Sequence, residues 1–414
     1  VKVNVTKKLL VEAIDRLYSV ATKGIKTEWE MANRITIEVK SNQLLLRANN
    51  GLLKAEYEVP TIDKPENGVA TIDVNMARNI IKALGANDAV LEIQRKKDTL
   101  SVRDTTVAAN RKRVVRMPTQ AKDHNFTISK PRKGFSYTFE DVSDFTESVK
   151  LVGKYKCPMQ YKLRYLMTCM HFLPEEIRFI CGDGMRFAVL SRQTKAVSGL
   201  EDQGEKYLIQ VDQSLNIANA VENSTEMTMT FKSPQECYIE AENVRMHLDT
   251  PKEEYIAYEK HAYRQDDAAL VIDVARSEFV QIVGIAGACK DKELETEGKF
   301  HSVVVKTSPQ GIELVCDEGS YNCDVDADCN FYPIDDKEEF NSAYCWDFIN
   351  DVANAINKGT IRIYGIDEQG ILIVEPCNID EKDTDEHGVP KRKVDDGDGS
   401  RLIFFFAAAT EDED

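Results

Sequence analysis

Histidine is scarce, six in 414 residues, and the shortage excludes much chemistry. None of the six, at positions 124, 171, 247, 261, 301 and 387, stands at ligand or catalytic spacing from a cysteine, a serine or another histidine. His171 lies in the apolar run MTCMHFL and reads as a satisfied strand residue. A Walker A sequence, a GxGxxG after a strand and HExxH are all missing. DVDAD at 324–328 opens like a calcium loop, yet it lacks glycine at the sixth position, and its period of two suits a strand with aspartates on the wet face. The expectation is a protein that is not an enzyme, with no catalytic residue, no metal and no cofactor.

Other absences narrow the class. No stretch of ~18 apolar residues occurs, so no membrane-spanning helix is expected. The opening VKVNVTKKLLVEAIDRLYSV is charged throughout and lacks the apolar core of a signal peptide, which points to a cytoplasmic protein. The ten cysteines are scattered, as at Cys157, Cys169, Cys181 and Cys237, without a CxxC pair, and read as small buried hydrophobes. Positive charge is also short: 53 Lys and Arg against 70 Asp and Glu give a net −17. That excludes coating nucleic acid with the whole surface but not presenting a local basic face.

What is present is repetition. NQLLLRANNGLLKAEYEV (42–59), EEIRFICGDGMRFAVLS (175–191) and QGIELVCDEGSYNCDVD (310–326) each show a period-two strand, a glycine corner and a second period-two strand. A Gly-Asp-Gly corner alone could be a phosphate loop, a metal corner or a hairpin. Recurrence at Gly51, Gly184 and Gly319 with different neighbours makes it first of all a turn. A second unit, strand–helix–strand–turn–strand, begins at 68, 205 and 338, with apolar helix faces such as Ile80, Ile81 and Leu84 or Phe348, Ile349 and Val352. A third, strand then helix, begins at 3, 135 and 269. The predicted class is α+β: three repeated domains, each of two strand–helix–strands halves, at 1–125, 126–260 and 261–414. The last carries a polar insert at 376–401, long enough to be disordered or a binding element, and the acidic tail ATEDED.

One face of each short helix packs on a sheet, so the opposite face looks elsewhere. The six predicted helices together carry net positive charge in an acidic chain, unevenly, with the third repeat contributing least.

The ordered threefold repeat, the stretch YLMTCMHFLPEEIRFICGDGMRFAVLSRQ and the opening VKVNVTKKLLVEAIDRLYSVA resemble the bacterial DNA polymerase III beta subunit, the beta sliding clamp family, over essentially the whole chain apart from the insert and tail. The resemblance implies a DNA clamp fold closed as a head-to-tail homodimeric ring, with helices lining the hole. It implies a non-catalytic processivity factor that encircles double-stranded DNA non-specifically and tethers the replicative DNA polymerase. Other partners would be proteins with clamp-binding motifs and a separate ATP-dependent clamp loader. The expected DNA-facing residues are Lys7, Lys8, Arg16, Lys23, Lys26, Arg78, Lys82, Lys150, Lys154 and Arg276. At the dimer interface stand Ile81, Lys112, Val114 and Phe300. The edges offered for pairing are 110–117, which is basic, and 299–307, with Glu293, Glu295 and Glu297 facing the first.

By position, the family's partner-peptide pocket corresponds to Met167, Gly182, Gly184, Met185, Arg186, Phe187, Tyr258, Phe404, Phe405 and Phe406. There are departures. Met185 stands where the family usually has histidine, Glu253 where a proline closes the cleft, and the chain runs on through AAATEDED past the usual terminus. The alternative reading is a clamp-like scaffold that recruits replication, repair or transcription proteins without encircling DNA.

Overall fold

In the computed structural model the period-two runs are strands, and the glycine corners at Gly51 and Gly184 close hairpins. The structure describes residues 1–23, 31–108, 111, 113–156, 162–195, 200, 204–289, 301–318, 321–334, 339–357, 359–366, 370–392 and 401–407. Gly51 (φ 97°) and Gly184 (φ 99°) take the left-handed backbone that the corner demands. At the second corner the Asp183 carboxylate accepts from the amides of Met185 (3.0 Å) and Arg186 (3.1 Å), an Asx turn. Gly184 at this corner is therefore a turn residue. The third corner, at Gly319, lies outside the described residues.

The first stretch runs β1 (Lys2–Thr6), α1 (Lys7–Thr22), β2 (Arg34–Lys40), β3 (Gln43–Asn49), β4 (Leu53–Val59), β5 (Gly68–Asp73), α2 (Val74–Ala83), β6 (Val90–Lys96), β7 (Thr99–Asp104) and β8 (Val114–Pro118). The second runs β9 (Phe135–Phe139), α3 (Val142–Val152), β10 (Met167–Phe172), β11 (Glu176–Gly182), β12 (Arg186–Gln193), β13 (Glu205–Gln210), α4 (Val211–Val221), β14 (Met227–Ser233), β15 (Glu236–Ala241) and β16 (Val244–Asp249). The third, after the short α5 (Glu259–Ala262), runs β17 (Ala268–Ala275), α6 (Arg276–Ala288), β18 (Ser302–Ser308), β19 (Gly311–Glu318), β20 (Tyr321–Ala327), β21 (Cys329–Pro333), β22 (Phe340–Cys345), α7 (Trp346–Ala355), β23 (Thr360–Ile366), β24 (Ile371–Cys377), β25 (Ile379–Thr384), β26 (Pro390–Arg392) and β27 (Arg401–Phe406). The order strand, helix, four strands, helix, strands recurs three times. The third stretch adds β21 and, within the polar insert, the β25–β26 hairpin; 393–400 lie outside the described residues.

The chain divides into two compact units, residues 1–150 with 208–253, and 151–207 with 254–414. The first holds a four-stranded sheet, β1-β6-β7-β8, and an eight-stranded sheet, β5-β2-β3-β4-β16-β15-β14-β9. In the latter, β4 pairs with β16, Tyr57 opposite Val244 and Leu53 opposite Leu248, so strands of the first and second stretches share one ladder. Helix α1 lies on β2, β3 and β4 and buries Leu10, Ile14 and Leu17 completely or nearly so. Each such side chain contributes about 2 kcal/mol of apolar burial.

The second unit has a nine-stranded sheet, β13-β10-β11-β12-β27-β24-β23-β17-β21, and a four-stranded one, β20-β19-β18-β22. Here β12 pairs with β27, again joining different stretches. The order corrects one expectation. β18, offered as a pairing edge at 299–307, has β19 on one side and β22 on the other, so its ladder groups are already used. Among the described residues the sheet's open edges are β20 and β22, and β8 is an edge in the first unit. Glu293, Glu295, Glu297 and Phe300 lie outside the described residues.

Candidate functional site: a helix groove and a sheet corner

In the first unit, α1 packs against both α2 and α4 and leaves an open groove of ≈ 570 Å³. Four cations, Lys8, Arg16, Lys23 and Arg78, line it, together with three carboxylates, Glu12, Asp15 and Glu222. Four of the ten expected basic residues therefore line one groove, and acids accompany them. Arg16 is buried: it pairs with Glu12 one turn back (2.7 Å) and donates to Ser224 Oγ (3.3 Å) and the Ala220 carbonyl (3.4 Å). Arg78 Nε meets Asp15 Oδ1 at 2.6 Å, and Lys82 Nζ meets Asp15 Oδ2 at 2.8 Å. Lys150 pairs with Glu222 at 2.9 Å. Lys8 and Lys23 are exposed.

Two expected DNA-facing cations serve the fold instead. Lys7 is the first residue of α1 and is buried, its Nζ donating to the carbonyls of Lys82 (2.7 Å) and Gly85 (3.0 Å) at the end of α2. Arg276 is the first residue of α6, and its Nε donates to the Ile356 carbonyl at the end of α7. In both repeats a cation opening the first helix satisfies the orphan carbonyls closing the second, where the helix dipole favours positive charge. Lys154, in the second unit, is exposed, and Lys26 lies outside the described residues. Ile81 faces the core of its own unit with no exposed surface; Val114 is half-buried on β8, and Lys112 lies outside the described residues.

In the second unit, strand alternation decides the fate of the ten pocket residues. Arg186 stands opposite Phe406, Phe187 opposite Phe405 and Ala188 opposite Phe404. Successive side chains point to opposite faces, so Arg186, Phe404 and Phe406 share one face while Phe187 and Phe405 share the other. On the first face the Arg186 guanidinium bonds Asp183 (3.1 Å) and Asp351 of α7 (2.7 Å). It lies 4.1 Å from the Phe348 ring centroid and 5.1 Å from that of Tyr155. Phe404 packs on Tyr155 at 5.4 Å, and Phe406 on Phe348 at 6.4 Å. On the second face Phe187 and Phe405 stack at 4.6 Å and 7°, with His261 of α5 5.5 Å from Phe405.

Met167 and Tyr258 are fully buried. The Tyr258 hydroxyl contacts His171 Nδ1 at 2.7 Å, and burial pushes its pKa well up, so it stays neutral. Gly182 is buried, whereas Gly184 and Met185 (42% exposed) form the exposed tip. Gly182, Gly184, Met185, Arg186, Phe187, Phe404, Phe405 and Phe406 thus gather around one corner without lining a single surface, while Tyr258 meets His171 and Arg178 farther along the sheet. Asp351, Tyr155 and His261 belong to that corner and were missed. Asp351 stands one helical turn after Phe348 on α7, a signal present in the sequence but readable only once α7 is known to cover this sheet. Among the described residues no cluster of His, Cys, Asp and Glu suits a metal, and no helix is long and apolar enough to cross a membrane.

No family model matches the sequence, and no curated protein matches it. Solved structures do match in fold. The DNA polymerase III beta subunit of Thermotoga maritima superimposes with a TM-score of 0.80 at 15% identity, covering 99% of each chain. That of Pseudomonas aeruginosa gives 0.79 at 12% identity over 99% of this chain and 100% of the other. A Pseudomonas aeruginosa sliding clamp bound to griselimycin gives 0.78 at 11%, over 99% of both. From one end to the other, this chain has the fold of the bacterial DNA polymerase III beta subunits.

Proposed function

We propose that the protein is a DNA sliding clamp: a non-catalytic processivity factor that closes around duplex DNA as a head-to-tail homodimer and tethers a polymerase to its template. The observation that carries this reading is the likeness, at TM-scores near 0.8 over 99% of the chain, to beta subunits and sliding clamps. The three-domain division at 1–125, 126–260 and 261–414 belongs to the same proposal, with the β4–β16 and β12–β27 ladders as the seams between neighbours. A ring holds its substrate by topology, so its contacts need only be weak and phosphate-directed. The groove cations Lys8, Lys23 and Arg78 supply such contacts, with Lys82 beside them on α2 and Lys150 and Lys154 on and after α3.

Ring closure is assigned to the open sheet edges. β8 presents the exposed Arg116, with the exposed Arg111 and Arg113 just before it, Arg113 3.6 Å from Asp104; β20 presents Asp324 and Asp326, also exposed, with Asp328 just beyond. Opposite charge on two free edges favours heterologous pairing between chains and disfavours pairing of like edges. Partner peptides from a polymerase or another replication protein would dock at the corner tip around Gly184, Met185 and the His261 side of Phe187 and Phe405. Loading would need a separate ATP-dependent partner. Solution mass tests the ring directly: the account expects a dimer that Arg113→Glu with Arg116→Glu converts to monomer. A wild-type protein that stays monomeric at every concentration contradicts it.

A further inference from the structure

Asp15 sits between two cations that the sliding-clamp reading assigns to DNA. Its Oδ1 accepts from Arg78 Nε at 2.6 Å and its Oδ2 from Lys82 Nζ at 2.8 Å. Arg78 and Lys82 are one turn apart on α2 and so share a face. A carboxylate and a phosphate diester use the same donors in the same way.

We infer that Asp15 is an internal phosphate mimic: it competes with the DNA backbone for Arg78 and Lys82 and so sets how weakly the groove grips the duplex. The inference rests on the sliding-clamp reading and adds its affinity control. Three observations carry it. The side chains of Asp15, Arg78 and Lys82 are 34%, 36% and 41% exposed, so a phosphate can reach them. Ion pairs this exposed are worth about fivefold at most in an equilibrium constant, weak enough to exchange for a phosphate. Finally, Arg78 is held from a second side. Its guanidinium lies 4.4 Å from the Tyr18 ring centroid, and the Tyr18 hydroxyl donates to Asn75 Oδ1 at 2.7 Å. The cation therefore stays in position when the carboxylate lets go. Lys7 makes the contrast: buried against helix carbonyls, it has no exchangeable partner.

A groove that slides must not stick. Without Asp15, two freed cations would neutralise phosphates, and one negative charge facing them would be gone.

The test is the salt dependence of binding to a short linear duplex, read by fluorescence anisotropy for wild type and Asp15→Asn. The expected result is binding about tenfold tighter at low salt, with the log–log slope steeper by about one to two, since each neutralised phosphate contributes about 0.9. In an Arg78→Gln, Lys82→Gln background, Asp15→Asn should lose most of its effect, leaving only the small gain from one negative charge removed, with the slope unchanged; a full effect there would overturn the role of the two cations. Asp15→Ser repeats the test with a second side chain should one variant fold poorly. Unchanged affinity and slope, with wild type binding measurably, overturn the role of Asp15 and leave the clamp reading standing. Tighter binding without a steeper slope also overturns it. Absence of DNA binding by every variant at any salt overturns both.

Discussion

Arg186 on β12 and Asp351 on α7 are joined by a 2.7 Å charge-assisted hydrogen bond. The guanidinium is buried, so its partner cannot simply be replaced by water. The bond locks a helix onto the corner assigned to peptide docking.

Removing Asp351 should therefore destabilise more than the loss of a surface ion pair. Asp351→Ala is expected to cost about 1 to 3 kcal/mol, with Asp183 still satisfying part of the charge. Urea denaturation checks it. A loss near zero would mean that the bond does not hold the helix to the sheet.

Lys7 and Lys23 separate fold from function. Lys7→Met removes donors from the end of α2 and should cost about 1 kcal/mol of stability while leaving the salt slope of DNA binding unchanged. Lys23→Gln should leave stability within ±0.5 kcal/mol and lower the slope by about 0.9. Melting curves and anisotropy titrations read both. The reverse pattern would move Lys7 back to the DNA surface.

His124 gives a pH dependence. Burial holds its pKa below the ordinary 6.5, although its Nε2 contacts the Arg34 carbonyl at 3.2 Å. Below pH 6.5 the unfolded chain takes up a proton that the folded chain resists. Stability should therefore fall as pH drops from 6.5 toward the depressed folded value, and the loss should shrink in His124→Gln. Denaturation midpoints across that window decide it; parallel profiles for the two proteins would show that His124 does not contribute.

The cysteines, scattered in sequence, differ in reach. Burial raises the Cys169 thiol to about 12 and pushes Cys181 and Cys237 higher still. Cys289, half-exposed at the end of α6, should be alkylated in the native state while those three react only on unfolding. Mass mapping after brief labelling reads the order. Early labelling of Cys181 would contradict its placement inside the sheet.

The sequence made the repeats legible because period-two strands and short amphipathic helices carry their own patterns, from Leu44–Asn49 to Phe348–Val352. Strand neighbours carry none. Nothing in SVVVKT says that β18 is flanked on both sides, since pairing is settled by strands distant in the chain. The groove shows the same limit. Counting Lys and Arg on helices found the basic residues, but not that Lys7 and Arg276 point to helix ends or that Asp15 holds Arg78. Alternation divides the pocket list: Phe404, Phe405 and Phe406 are contiguous in sequence, and the strand sends Phe405 to the face opposite the other two.

Retention on closed circular duplex against the same DNA linearised, after loading and at salt high enough to break phosphate contacts, tests the central claim most directly. The account predicts protein that stays on the circle and leaves the linear form through its ends. Equal loss from both, or equal retention on both, would contradict a ring.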